Sequence, residues 1–527
     1  MLTVQDLART SADLTATRSR SAKVARLAAL LRGADAADIG TAARWGTGEA
    51  AERSLGIGPA QVRAALATAP AAAPTHTIAD AMARLTAVAD ISGAGSKARR
   101  AQALAELFAR ATGEEQQFLG RLILGELRQG ALESLVVDAV AAAFEIPAAG
   151  VRRAQMLRGD IAEVATIARS DGRAGLDALR LQVFRPLLPM LAQPAADLDD
   201  ALSQLPHPIL EYKLDGARVQ IHKQDETVRV YSRQGNEVTA ALPEVVDAVT
   251  ALPARELVLD GETLALAADG RPRAFQTTMR RFGRHSDDPE LRARLPLTVF
   301  CFDCLARDGE TLIDAPTRER HAALADALPP ALLIPRLADG DAAAAEGFLQ
   351  AALAAGHEGL MAKHPQAPYA AGGRGSHWLK IKQAHTLDLV VLAAEWGSGR
   401  RRGWLSNLHL GCRDAAGGYL MLGKTFKGLT DKVLAWQTQQ LLAREVARDG
   451  HVVHVRPELV VEIAFNELQQ SRQYPAGLAL RFARVKGYRS DKTAAQADHI
   501  DSVRAIFERQ LAYRSSAPPA PARAANA

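Results

Sequence analysis

The run Glu211-Tyr212-Lys213-Leu214-Asp215-Gly216-Ala217-Arg218 holds the densest chemistry in the chain. A lysine set between a strand-like run and a glycine turn can sit in a partly desolvated pocket beside other cations. That setting lowers its pKa and leaves a neutral amine able to act as a nucleophile. Covalent catalysis through lysine is the chemistry on offer. K-x-D-G alone is short enough to arise by chance, so the weight falls on the motifs downstream of it. Ser232-Arg233-Gln234-Gly235, Leu259-Asp260-Gly261-Glu262, Phe302-Asp303, Glu358-Gly359-Leu360-Met361-Ala362-Lys363 and Trp378-Leu379-Lys380-Ile381-Lys382 succeed one another in fixed order. Taken singly, Glu262 and Glu358 would read as solvated surface charges. Lys380 and Lys382 alternate on a strand-like run and therefore share one face.

This ordered set resembles the covalent nucleotidyltransferase superfamily of DNA ligases, RNA ligases and mRNA capping enzymes. The resemblance implies that Lys213 attacks a nucleotide and carries it as a phosphoramide. Such a site must neutralise a triphosphate, bind Mg²⁺ through carboxylate oxygens and hold the α-phosphate in line with the amine. By resemblance Glu262 engages the ribose and, with Glu358, the metal; Lys380 and Lys382 clamp the α-phosphate. Glu211 joins the ATP-binding set. Arg218 and Arg233 resemble arginines that contact AMP or the 5′-phosphate of a nick, a task suited to a planar guanidinium. Phe302 resembles the aromatic that stacks on adenine, although an aromatic in a buried strand is more often plain core. Phe275-Gln276-Thr277-Thr278-Met279-Arg280-Arg281-Phe282 also looks ligase-like, with no role assigned.

Beyond Lys382 the resemblance narrows. Val461-Glu462-Ile463-Ala464-Phe465-Asn466-Glu467-Leu468-Gln469, Ser471-Arg472, Tyr474-Pro475 and Leu480-Arg481-Phe482-Ala483-Arg484 resemble the OB-fold domain of ATP-dependent DNA ligases. Arg489-Ser490-Asp491-Lys492 matches their last motif, whose basic residues Arg489 and Lys492 would bind ATP and orient its β- and γ-phosphates so that pyrophosphate leaves. Gly487 stands where the family commonly carries a basic residue, which puts Lys486 or Arg484 as its substitute in question. Gly125-Glu126-Leu127-Arg128-Gln129-Gly130 resembles part of the DNA-binding domain of the same ligases, and Arg128 and Gly130 are the residues it points to as DNA contacts.

These residues need elements to hold them. Residues 1–190 read as an all-α domain, which the resemblance makes DNA-binding: Leu119, Leu122, Ile123 and Leu127 fall at helical spacing across Glu114–Arg128, and Leu132, Leu135, Val136, Ala139, Val140 and Ala143 continue it. Phe184-Arg185-Pro186-Leu187-Leu188-Pro189-Met190 predicts an extended connector. Residues 191–384 read as an α+β adenylation domain, with strands at Val219–His222, Val228–Tyr231, Glu256–Leu259 and Leu297–Phe300. Residues 385–513 open with Leu387–Ala393 and read as a small β-barrel, which the resemblance makes an OB-fold. The Pro/Ala/Ser-rich residues 514–527 predict a disordered tail.

Composition sets outer limits. A chain of 527 residues implies about two to four domains. A formal net charge of +5 permits a polyanionic partner without demanding one. Three cysteines make neither a disulfide framework nor a four-cysteine zinc site, which disfavours the NAD-dependent ligases and favours ATP as donor. Cys301 and Cys304, three apart in a strand, are expected on opposite faces as packing residues. Neither a membrane span nor a signal-peptide core is visible, so a cytoplasmic protein is expected; the resemblance implies a nucleoid-associated monomer acting on nicked double-stranded DNA. The layout resembles a stand-alone bacterial ligase. The alternatives are an RNA ligase or capping enzyme, which would not need a large helical domain in front, and a DNA-binding module whose site has decayed, against which the intact lysine, carboxylates and arginines argue.

Overall fold

The computed structural model describes residues 1–51, 53–130, 133–273, 275–282, 289–371, 377–382 and 385–515. As far as Asp177 the described chain is helical, from Val4–Ala16 to Gly172–Asp177. Side chains satisfy amides at helix starts: Thr3 and Thr112 each form a capping box, with Asp6 and Glu115 reaching back. The apolar stripes close on a core around Trp45, Phe108 and Phe118, and that burial holds short helices in place. One helix is shorter than its pattern predicts. Gly113–Ile123 ends before Leu127, because Gly125 turns the chain at a φ of 66° and Glu126 N–H caps Arg121 O; Leu127 is buried from the turn instead. Leu135, Val136, Ala139, Val140 and Ala143 do lie buried on one helix, Glu133–Ala143, whereas Leu132 is outside the described residues.

Two five-stranded sheets follow. In the first, Gln193–Pro194, Trp378–Lys382, Gly359–Lys363, Ile209–Tyr212 and Arg336–Leu337 lie side by side in that order. In the second the order is Thr227–Ser232, Ala217–Gln224, Glu256–Ala265, Leu297–Arg307, Glu310–Thr311, all antiparallel. The chain crosses from one sheet to the other through Lys213–Gly216. The expected strands at 219–222, 228–231, 256–259 and 297–300 all lie within observed ones.

The cysteine expectation is corrected. Asp260 pairs with Asp303 and Gly261 with Cys301, which leaves Phe302 as an unpaired extra residue, a β-bulge. The extra residue reverses the alternation, so Cys301 and Cys304 enter the same apolar cluster. Burial lifts both thiols, Cys304 to about 12, and makes them inert packing groups.

The C-terminal region is strand-rich. The long strand His385–Trp396 pairs with Leu405–Arg413 along one edge and with Val460–Phe465 and Val452–Val455 along the other. A separate hairpin joins Glu467–Gln470 to Leu478–Arg481. The region ends in a helix, Ile500–Ser515, where strands and then a tail beginning at residue 514 were expected; Val503 and Ile506 bury its inner face. Residues 516–527 are outside the described residues. Among the described residues no helix is long and apolar enough to cross a membrane.

Candidate active site

Two glycines allow the backbone around Lys213 to close up. A Cβ at Gly216 would stand 2.4 Å from the Thr263 carbonyl oxygen, and one at Gly359, whose φ is 141°, would stand 2.2 Å from that of Ile381. Neither position admits a side chain. Lys213 is tied between these points: its N–H donates to Gly359 O at 2.8 Å, and Glu358 N–H donates to Lys213 O at 3.0 Å. The peptide joining the sheets is therefore fixed before its side chain does anything.

Lys213 Nζ lies 2.5 Å from Glu358, and Lys382 Nζ lies 2.8 Å from the same carboxylate. Burial alone would raise the Glu358 pKa, but the two ammonium groups outweigh it and hold the carboxyl below its ordinary range. Lys380 sits in the same cluster of cations. Burial, then Lys382, Lys213 and Arg233, push its pKa down. On one side of Lys213 opens a cavity of about 540 Å³ lined by Glu211, Arg218, Arg233, Glu262, Phe302 and Lys380. All of these are residues singled out in the sequence. A neighbouring cavity of about 370 Å³ contains Glu358 and Lys382 together with Asp215.

The two remaining carboxyls are poorly solvated. Burial lifts Glu262 to about 7 despite Lys213 and Arg218 nearby, and its Oε1 accepts from Gly216 N–H at 3.2 Å. Burial and then the charge of Glu358 lift Asp215 to about 6. A carboxyl in this state gains most from a cation or a hydroxyl donor arriving beside it.

Several expected contacts differ. Arg218 donates to Asp260 at 2.9 and 2.6 Å, to Met190 O at 2.7 Å and to the Tyr369 hydroxyl at 3.2 Å. With four of its five N–H donors so occupied it forms a wall of the cavity, 5.4 Å from the Phe302 ring centroid. Glu211 is likewise committed, to Lys363 at 2.6 Å and Arg336 at 2.9 Å. Arg489 and Lys492 line neither cavity: both pair with Asp388, Arg489 at 3.0 Å and Lys492 at 2.5 Å. Asp491 binds Arg489 at 2.7 Å. Arg484 and Lys486 are exposed beside Gly487, outside both cavities. Arg128 is exposed on the helical region, 3.7 Å from Glu126. Gly130 adopts a φ of 62° beside Lys23.

The motifs include Asp260, Lys363 and Trp378 without giving them a role, and Tyr369 falls outside all of them. Asp260 was within reach, because it precedes Glu262 by two on a strand and so shares its face. Lys363 packs 4.7 Å from the Phe302 centroid and 4.5 Å from that of Trp378. Tyr369 stands in a stretch of small residues with no periodicity to expose it.

Comparison with known proteins agrees with this geometry. Residues 189–382 match the family model described as ATP dependent DNA ligase domain, residues 401–492 the ATP dependent DNA ligase C terminal region, and residues 68–141 the DNA ligase N terminus. A protein of Anaeromyxobacter sp. named "Probable DNA ligase" is 57% identical over 510 residues, covering 96% of this chain and 98% of that one. A protein of Mycolicibacterium gilvum with the same name is 53% identical over 508 residues, covering 96% and 99%. A solved structure titled "Pmar-Lig_PreS3" shares the fold, with a TM-score of 0.58 at 19% identity over 92% of this chain and 99% of that one. The chain belongs to the ATP-dependent DNA ligase family.

Proposed function

We propose that Lys213 is the nucleophile of this ligase and carries AMP as a lysyl phosphoramide. The observation that supports it is the position of its ammonium, 2.5 Å from Glu358 at the mouth of a cavity with an aromatic wall. Lys213 Nζ bonds to the α-phosphorus of ATP as pyrophosphate leaves; AMP then passes to the 5′-phosphate of a nick, and the 3′-hydroxyl displaces it. Phe302 stacks on the base, Glu262 receives the ribose, and Arg233, Lys380 and Lys382 neutralise phosphate charge.

Glu262 and Glu358 suit Mg²⁺, which takes one or two carboxylates and completes its shell with substrate phosphates and water. The carboxyl of Glu262 is underpaired and that of Glu358 is ionised, so the donor set fits. The ion would neutralise the triphosphate. For Arg489 and Lys492 to meet the β- and γ-phosphates they must leave Asp388, so the C-terminal region has to shift towards the pocket during the first step. We read residues 1–190, 191–384 and 385–513 as helical DNA-binding, adenylation and OB-fold domains. The strand pairing around His385–Trp396 supports the last of these. One chain carries every group required, so a monomer suffices, and three free buried cysteines suit a reducing cytoplasm. Incubation with α-labelled ATP, GTP and NAD in parallel tests the assignment: label enters the protein from ATP alone. Label from GTP or NAD overturns the choice of donor.

A further inference from the structure

The segment from Phe184 to Met190, which the sequence predicts as an extended connector, is held at three points by one strand. Alternate residues of Ala217–Gln224 face it. Arg218 donates to Met190 O at 2.7 Å. Gln220 accepts from Leu187 N–H at 2.7 Å and donates to Leu187 O at 3.3 Å. His222 Nδ1 accepts from Phe184 N–H at 2.9 Å. Two tyrosines complete the grip: the Tyr231 hydroxyl donates to Phe184 O at 2.8 Å, and the Tyr369 hydroxyl accepts from Met190 N–H at 3.0 Å. Phe184 is held at a φ of 66°, a conformation uncommon for an aromatic residue.

The same segment also grips the helical region. Leu188 N–H donates to Met156 O at 3.0 Å. Arg185 donates to Arg158 O at 3.1 Å and pairs with Glu163. Gln220 and His222 are buried. Burial pushes the His222 imidazole down to about 3, so it stays neutral and keeps Nδ1 free to accept. Its Nε2–H then donates to Gln220 Oε1 at 2.9 Å. A buried polar network with its members satisfied specifies one geometry, and this one ends at Arg218, on the wall of the nucleotide cavity.

We propose that Gln220 and His222 are positioning residues for the transfer of AMP to DNA: they lock the strap so that duplex held by the helical region meets the adenylate in one orientation. The proposal rests on the reading of residues 1–190 as the DNA-gripping part. Neither residue lines either cavity, so the first chemical step does not need them.

The test uses the full chain with His222→Leu, Gln220→Met and the conservative His222→Asn, whose side-chain oxygen takes the place of Nδ1. Four quantities are measured: lysyl-AMP formation from ATP without DNA, single-turnover transfer to saturating nicked duplex, nick affinity, and the distance distribution between spin labels at Gln117→Cys and Ala322→Cys. Both label sites are exposed and the three native cysteines are buried. Lysyl-AMP formation and affinity should stay within about twofold while transfer falls ~10- to 100-fold, the scale of a reacting group displaced by about an ångström. The label distances should broaden, and His222→Asn should restore both. Equal loss of lysyl-AMP formation and transfer would reduce the network to a fold support and overturn the proposal, as would unchanged transfer. Photocrosslinking of nicked duplex to the wild-type chain separates the two failures. Crosslinks within residues 1–183 with unchanged transfer sink only the positioning role, whereas their absence sinks the DNA-gripping reading beneath it.

Discussion

Glu262→Gln should make the nucleotide-free protein more stable and the enzyme worse. Glutamine keeps the oxygen that accepts from Gly216 N–H at 3.2 Å and differs mainly in carrying no charge. In the folded chain burial holds the carboxyl protonated up to about pH 7, against an ordinary value of 4.5. Between those pH values the folded state keeps a proton that the unfolded chain has lost, so stability falls as pH rises through the window. Well above pH 7 the folded carboxylate costs about 3 kcal/mol at full strength, or about 2 kcal/mol allowing for its partial contact with solvent. Urea titrations of both proteins at pH 4 and pH 8 measure this directly. The variant should match the wild type at the low pH and gain about 2–3 kcal/mol at the high one, while AMP labelling drops at least ~10-fold. An equal stability difference at both pH values would show that Glu262 is not a poorly solvated carboxylate.

The wild type should also show an acid limb of self-adenylation near pH 7, from the same carboxyl, that Glu262→Gln removes. Lys492→Ala should slow lysyl-AMP formation far more than sealing of preadenylated DNA; equal damage to both would assign the last motif to the fold. Arg128→Ala should lower the slope of log affinity for nicked duplex against log salt by about 1 in a salt series, and an unchanged slope removes Arg128 from the DNA contacts.

Much of the site was legible because short motifs in fixed order name their residues, and alternation on strands says which share a face. Lys213, Glu262, Phe302 and Lys380 came together as that logic requires. The bulge at Phe302 was not legible: an extra residue in a strand leaves the local pattern almost unchanged while reversing the faces beyond it, and Cys301 and Cys304 were misplaced for that reason. Partner competition was hidden too. Arg218 carries the right chemistry for a phosphate, but Asp260, Met190 and Tyr369 come to it from distant parts of the sequence and occupy it. Arg489 and Lys492 meet Asp388, about a hundred residues earlier, by the same kind of long-range encounter. The final helix was missed although Ile500, Val503 and Ile506 fall at helical spacing, because the strand-rich texture before it was carried too far.

The helical region and the adenylation region share one apolar cluster, which joins Met156 and Leu187 to Leu305, Ile313 and Tyr369. Cutting the chain at residue 190 would expose that core, so tests of DNA binding belong on the full chain.

The central claim is that Lys213 alone accepts AMP, and Lys213→Ala tests it on two substrates at once. With α-labelled ATP the variant should take up no alkali-stable, acid-labile label of the phosphoramide kind; with a nick whose 5′-phosphate is already adenylated it should still seal, because only the first step uses the amine. Label appearing on another residue, or loss of sealing on the preadenylated nick with the fold intact, would contradict the account.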